Sequence, residues 1–129
     1  MNFINAEGAV LGRLASYAAK GALKGEEFVI VNCEKIIITG SLKDNTKKFQ
    51  EKRGRVGSVQ KGPKYSLDSE KILKRTIRGM IPNHRTGRGK EAVKRVKCYN
   101  GIPEEFKDKK FVQLNQERIK FVELNKFKK

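Results

Sequence analysis

The sequence contains no tryptophan, a single histidine and only two cysteines among its 129 residues. Two cysteines do not make a disulfide framework, and Cys33 and Cys98 are predicted to be small core side chains of a protein from a reducing compartment. Together with His84 they are too few for a zinc site built from four Cys or His ligands, so no metal is predicted. His84 has no cysteine or acid near it in sequence, which favours an exposed polar contact over a metal ligand or catalytic base.

Long hydrophobic runs are also missing. The longest apolar run is Phe28–Val31, whereas a membrane-spanning helix needs about 20 mostly apolar residues. Residues 1–5 have no basic segment of the kind that starts a signal peptide. The hydrophobic fraction of 37% lies below the usual 45–50% or so, so the predicted core is modest. No membrane partner is expected.

Sequence motifs for catalysis are absent as well. There is no G-x-x-x-x-G-K-[ST] loop, no G-x-G-x-x-G after a strand, no G-x-S-x-G elbow and no H-E-x-x-H. Helix-turn-helix, zinc-finger and RNP signatures are missing too. Gly8 and Gly12 precede a helix and could cradle a phosphate, although a strand-to-helix turn needs glycine anyway. We therefore predict no catalytic residue, no cofactor and no small-molecule substrate.

Positive charge is abundant and unevenly placed. Thirty Lys and Arg residues against 14 Asp and Glu residues give a net charge of +16. Residues 1–40 are electrically neutral, whereas residues 41–100 hold 18 basic and 5 acidic side chains, a net charge of +13. Clustered Lys and Arg are typical of a surface that binds a polyanion. Nucleic acid is the favoured partner.

The first 40 residues predict an α/β arrangement. Phe3 and Ile4 suit a short strand, and apolar residues from Leu11 to Leu23 recur at helical spacing until Gly25. The run Phe28–Val31 is typical of a strand buried on both faces, and residues 36–39 repeat the pattern. A strand, a helix and a strand at this spacing indicate a parallel sheet.

The basic middle of the chain is predicted to begin with an irregular segment. Residues 41–66 contain few large apolar side chains and several glycines. Two interpretations remain open for this stretch: a disordered linker, or a loop that becomes ordered on RNA.

A helix with two different faces is predicted next. Asp68 is a plausible N-cap, with Leu67 and Ile72 as a hydrophobic staple, and Pro82 ends the element. Its apolar face is predicted to hold Ile72, Leu73, Thr76, Ile77 and Met80, and its basic stripe Lys71, Lys74, Arg75 and Arg78.

The rest of the chain is harder to assign. Residues 84–90 are predicted to open a third helix that runs through Val96, and residues 97–99 suit a last short strand. From Ile102 onward the pattern does not distinguish strand from helix, and the tail is expected to wrap the domain.

Four segments together resemble one protein family. They are NAEGAVLGRLA (residues 5–15), VNCEKIIITG (31–40), RTIRGMIP (75–82) and KCYNGIP (97–103). In this order they are similar to the signatures of the thirteenth protein of the large ribosomal subunit, in which Asp usually stands at the position of Asn5. The TGRG turn (86–89) and the GIPEEF stretch (101–106) look more like the archaeal and eukaryotic branch.

The resemblance implies a fold, a function and a partner. It implies one three-layer α/β/α domain over residues 1–129 with a four-stranded, mainly parallel sheet, a basic loop, a core of about 1–103 and a C-terminal extension of about 104–129. It further implies a structural protein of the cytoplasmic large ribosomal subunit that binds folded rRNA, contacts neighbouring ribosomal proteins and supports assembly and translation. The expected rRNA contacts are Lys47, Lys48, Arg53, Arg55, Lys61, Lys64, Lys71, Lys74, Arg75, Arg78, His84, Arg85, Arg88, Lys90, Lys94, Arg95 and Lys97.

Other interpretations compete with this one. A free RNA-binding regulator would have the same charge pattern, and a small phosphate-handling enzyme would use the turn at residues 8–12. Tyr99 suits stacking on an RNA base, although a core tyrosine is at least as good an interpretation.

Overall fold

The first 31 residues fold into the parallel unit that the apolar pattern predicts. In the computed structural model, which describes residues 1–57, 62–115 and 118–128, strand β1 (Asn2–Asn5) leads through helix α1 (Leu11–Lys24) to strand β2 (Phe28–Val31). The two strands pair in parallel, with Ile4 opposite Ile30. The remaining elements are β3 (Ile37–Thr39), α2 (Leu42–Gly54), α3 (Ser69–Met80), α4 (Gly87–Lys94), β4 (Val96–Cys98), β5 (Val112–Gln113) and β6 (Phe121–Glu123).

A four-stranded parallel sheet forms the centre of the fold. Its strand order is β4-β2-β1-β5, and each neighbouring pair is parallel. Helices α3 and α4 both contact α1, and both also contact β4. The prediction of an α/β fold with a four-stranded, mainly parallel sheet is confirmed.

Helix α1 packs through the face that its spacing predicts. Leu14 and four alanines of this face are buried, and all four residues of β2 beneath it are buried too. At the helix end, Gly25 takes a φ of 104° and donates its N–H to Ala22 O. Gly21 lets the helix approach the sheet, because a Cβ at this position would overlap the Phe28 ring.

Two glycines of α1 are therefore expected to respond oppositely to the same substitution. Gly21→Ala should lose about 1–3 kcal/mol of unfolding free energy, because Phe28 is buried and its ring must be displaced. Gly12→Ala should lose nothing and gain up to about 1 kcal/mol of helix propensity, since a Cβ there meets open space. Urea unfolding of both variants measures the difference, and equal stabilities would contradict the close packing of α1.

The segment at residues 41–66 does not match the irregular structure predicted for it, since its first part is helix α2. Ser41 caps this helix, because its Oγ accepts the Asp44 N–H at 3.2 Å. Asn45 donates to Thr39 O at 3.3 Å, and the Phe49 ring lies 4.8 Å from the Phe127 ring. The helix is thus held by a cap and by two tertiary contacts, which a count of apolar residues does not detect.

Two further element predictions are wrong in part. Residues 36–39 were expected to form a second fully buried strand, but β3 starts at Ile37, pairs antiparallel with β6 and ends at the exposed Thr39. The third helix ends at Lys94, and Val96 belongs to β4, where it pairs with Phe28. Pairing with a buried strand favours extended backbone over another helical turn.

The chain after Ile102 contributes to both sheets and to the core. Strand β5 pairs with β1, and β6 pairs with β3. Leu124 is fully buried, Phe127 nearly so, and the Leu124 N–H donates to Ile36 O at 2.9 Å. These contacts meet the expectation that the tail wraps the domain. The division of the chain into a core that ends near residue 103 and a C-terminal extension stays a prediction.

An aromatic cluster covers Phe3. The ring of Phe106 lies 5.5 Å from that of Phe3 and 5.9 Å from that of Tyr99, and Phe111 meets Phe3 edge-on at 6.2 Å. Half-buried Tyr99 thus packs on Phe106 within the fold, and its stacking on an RNA base stays a prediction.

The two cysteines are free thiols. Cys33 is buried, and a hydrogen bond with the Cys98 side chain, together with burial, raises its pKa above the ordinary thiol value. Its thiol therefore stays neutral at physiological pH, as expected of a core residue. Within the described ranges, no helix combines the length and the apolar character needed to cross a membrane.

Candidate nucleic-acid interface

Helix α3 shows the two faces that its sequence predicts. Ile72, Leu73 and Ile77 are buried, while Lys71, Lys74 and Arg78 are exposed. Met80 departs from the prediction, because 43% of it is exposed. Asp68 is the N-cap residue as predicted, although no side-chain capping hydrogen bond is formed.

The Asp68 carboxylate instead accepts from the side chains of Lys71 and Ser66. Lys71 Nζ lies 2.9 Å from it and Ser66 Oγ 3.0 Å. The hydrogen bond and the charge of Asp68 raise the pKa of Lys71, so this ammonium remains charged. The pair is exposed, and water screens it.

Arg75 is held in place by the segment that precedes the helix. Its guanidinium lies 3.7 Å from the centroid of the Tyr65 ring, and Nη1 donates to Lys64 O at 3.3 Å. The side chain is half-buried. Arg75 therefore fixes residues 64 and 65 against α3, so that Lys64 lies beside the basic stripe.

A concave surface joins α2, α3 and the segment between them. We name it the α2–α3 groove and define it by six cationic residues: Lys52, Lys64, Lys71, Lys74, Arg75 and Arg78. Its floor is formed by Leu11, Phe49, Ile72 and Val93, and Tyr65, Ser66 and Thr76 complete the lining. The groove has a volume of about 550 Å³, and among the described residues no acid lines it. Its surroundings favour an anionic ligand.

Arginines at α4 bind the C-terminal end of α1. Arg88 donates through Nε and Nη2 to Leu23 O at 3.0 and 2.7 Å, and Arg95 Nη1 donates to Ala22 O at 3.3 Å. Both charges lie where the α1 dipole is negative, which stabilises the helix end. These two arginines thus stabilise the fold, and the sequence did not indicate this role.

The other predicted contacts are spread over α2, the turn before α4 and β4. Lys47, Lys48 and Arg53 on α2, and Arg55 just after it, are exposed. Arg85, Lys90 and Lys97 are exposed, His84 is half-buried, and exposed Lys94 lies 3.6 Å from Glu91. Lys61 lies outside the described residues.

Lys52 and Tyr65 line the groove but were not among the predicted contacts. Lys52 belongs to the basic segment, and its position on the same helix face as Phe49 could have indicated it once α2 was known. Tyr65 gave no signal, because its contact with Arg75 depends on the path of the chain between two helices.

The comparison with known proteins now identifies the family. The family model described as ribosomal protein L13 matches residues 1–105. This chain belongs to the ribosomal protein L13 family. As a member, the chain is a structural protein of the large subunit of the cytoplasmic ribosome and not an enzyme, so the interpretation as a phosphate-handling enzyme is rejected.

The relatives of this chain in the L13 family cover most of its length. Large ribosomal subunit protein uL13 of Methanosarcina barkeri is 42% identical over 128 residues, which cover 98% of this chain and 90% of that protein. The uL13 protein of Methanocaldococcus jannaschii is 49% identical over 106 residues, 80% and 77% of the two chains. The uL13 protein of Thermoplasma volcanium is 44% identical over 115 residues, which cover 89% of this chain and 83% of that protein. The predicted likeness of residues 86–89 and 101–106 to the archaeal and eukaryotic branch agrees with these archaeal relatives.

The segments that resemble the L13 family have clear structural roles. Asn5 Oδ1 accepts from Asn32 Nδ2 at 2.9 Å and so joins the ends of β1 and β2. Glu34 accepts the Gly101 N–H at 2.9 Å, which ties the second segment to the fourth. The Gly8 N–H donates to Lys35 O, so the glycine turn is bonded within the fold.

Proposed function

We propose that this chain binds folded large-subunit rRNA through the α2–α3 groove and the exposed cations around it, and thereby supports assembly of the large subunit. Six cations from three consecutive segments line one concave surface, and this observation carries the proposal. Membership in the L13 family supports a structural role in the large subunit.

The arrangement suits RNA recognised by its shape. The major groove of A-form RNA is deep and narrow, so proteins grip folded RNA through phosphates, 2′-hydroxyls and shape. Arg78 and Arg85 are exposed and able to form bidentate phosphate contacts, which lysine does not match. Lysines on the outer face of α2, together with Lys90, Lys94 and Lys97, extend the positive surface beyond the groove. Arg88 and Arg95 add charge beside the carbonyls they already bind.

RNA binding by the full chain is expected to be steeply salt-dependent. If six cations meet phosphates, log K for deproteinised large-subunit rRNA should fall with log salt at a slope of roughly −4 to −5, because each neutralised phosphate contributes about −0.7 to −0.9. Between about 50 and 200 mM salt, affinity should fall by roughly two and a half to three orders of magnitude. Filter binding across a salt series measures the slope.

A matched pair of variants tests where those contacts lie. Lys64→Ala should make the slope less steep by about one unit, whereas Lys109→Ala, an exposed lysine outside the groove, should leave it unchanged. A wild-type slope near zero would remove the electrostatic basis of the proposal. Co-sedimentation with large subunits at moderate salt separates a ribosomal component from a free RNA-binding regulator, which would stay in the supernatant.

A further inference from the structure

We propose that the α2–α3 groove holds one unstacked nucleotide of the bound RNA, with its base on the apolar floor beside Tyr65 and its phosphate among the rim cations. This inference rests on the proposed function and deepens it. It assigns a ligand class to the groove, namely a nucleotide from a single-stranded or bulged segment of RNA. Contacts with the RNA backbone alone would not require such a nucleotide.

The shape of the groove is the first argument. Contacts with the backbone of an RNA duplex need only exposed cations, and Lys47, Lys48 and Arg53 of α2 are exposed without lining the groove. The groove is instead concave, with a volume of about 550 Å³, which is within the range of small-molecule sites, about 300–1,000 Å³. It has room for a nucleotide.

The chemistry of the floor is the second argument. Leu11, Phe49, Ile72 and Val93 come from four different helices and line the same groove as the six cations. An apolar floor with a cationic rim matches the two halves of a nucleotide, whose base is flat and largely apolar and whose phosphate is anionic. A free inorganic anion would gain nothing from the floor, and an apolar ligand would gain nothing from the rim.

The stacked pair of Tyr65 and Arg75 is the third argument. The guanidinium lies 3.7 Å from the ring centroid, and the Lys64 carbonyl holds it there. Unstacked RNA bases are recognised by stacking on aromatic rings and on guanidinium planes. Here both kinds of plane are already assembled at the groove, so binding a base costs little reordering of these side chains.

Three RNA hairpins that differ at one position test this inference. One is fully paired, one carries a single bulged adenosine, and one carries an abasic bulge at the same site. The full chain should bind the bulged adenosine hairpin roughly tenfold tighter than either of the others, as expected for one base stacked on protein. Tyr65→Ala should abolish this preference, and Tyr65→Phe, which keeps the ring, should retain it.

The outcomes separate the inference from the proposed function. Equal affinity for the three hairpins would overturn the nucleotide site while leaving salt-dependent RNA binding intact, whereas no binding to any hairpin or to large-subunit rRNA would overturn both. Competition with AMP distinguishes a free nucleotide from a nucleotide in RNA, since AMP binding as tight as that of the bulged hairpin would overturn the inference. The abasic hairpin changes only the RNA, so the test stands even if Tyr65→Ala does not fold.

Discussion

Leu124→Asp is expected to unfold this protein or make it insoluble. Leu124 is 0% exposed, and a carboxylate placed there without a partner costs several kcal/mol or more, a large share of the roughly 5–15 kcal/mol that stabilises a domain. The substitution also disturbs the backbone bond from Leu124 to Ile36 and the adjoining pairing of β6 with β3. Far-ultraviolet circular dichroism and the soluble yield measure the effect.

The same substitution at an exposed leucine serves as the control. Leu42 is 47% exposed and occupies the first position of α2. An Asp in the first turn of a helix interacts favourably with the helix dipole, typically by about 0.3–1 kcal/mol, so Leu42→Asp should fold with near-normal stability. If both variants fold equally well, the last residues of the chain are not part of the core.

The N-terminal half of the fold was accessible from sequence because its signals are local. The spacing of Leu14, Ala18 and Ala22 specifies one helix face, and the run Phe28–Val31 specifies a strand covered on both sides. Each pattern is complete within one element, so no knowledge of distant residues is needed. The agreement of four short segments with one family added the order of the elements.

Helix α2 and the tail were not accessible in this way, because they stabilise each other. Phe49 packs on Phe127 from the far end of the chain, and β3 takes its partner from β6 rather than from the main sheet. Tertiary contacts of this kind override a weak local preference. A segment with few apolar residues was therefore interpreted as irregular.

The residues of the candidate site differ in the same way, since some follow from local spacing and others depend on contacts between distant segments. The stripe of Lys71, Lys74 and Arg78 follows from helical spacing alone, since residues three and four apart share a face. The stack of Arg75 on Tyr65 and the binding of Arg88 to Leu23 O require the path of intervening loops. Sequence therefore predicted where the charge lies, and the structure showed which cations also hold the fold together.

Reversing two cations of α3 is expected to reduce rRNA affinity strongly with little effect on stability. Lys74 and Arg78 are exposed on one face of α3, whereas Arg75 is left intact because its stack on Tyr65 would make its loss ambiguous. A charge pair in contact is worth about 1 kcal/mol in water, so turning two attractions into repulsions should cost about 4 kcal/mol, roughly a thousandfold in Kd. Exposed helical charges contribute only a few tenths of a kcal/mol to folding, so the melting temperature should shift by little.

A second double reversal, Lys109→Glu with Lys110→Glu, makes the same change in net charge at exposed positions outside the α2–α3 groove. Long-range attraction to RNA falls equally in both proteins, so any additional loss in the α3 variant must come from direct contact. We expect that additional loss to dominate at about 0.15 M salt, where charges more than about 8 Å from a phosphate are largely screened. Parallel thermal melts and titrations of large-subunit rRNA supply the comparison. If the two variants lose the same affinity, RNA responds to the net charge of the protein and the groove has no special role; an α3 variant that binds as tightly as the unmodified chain would place the interface elsewhere.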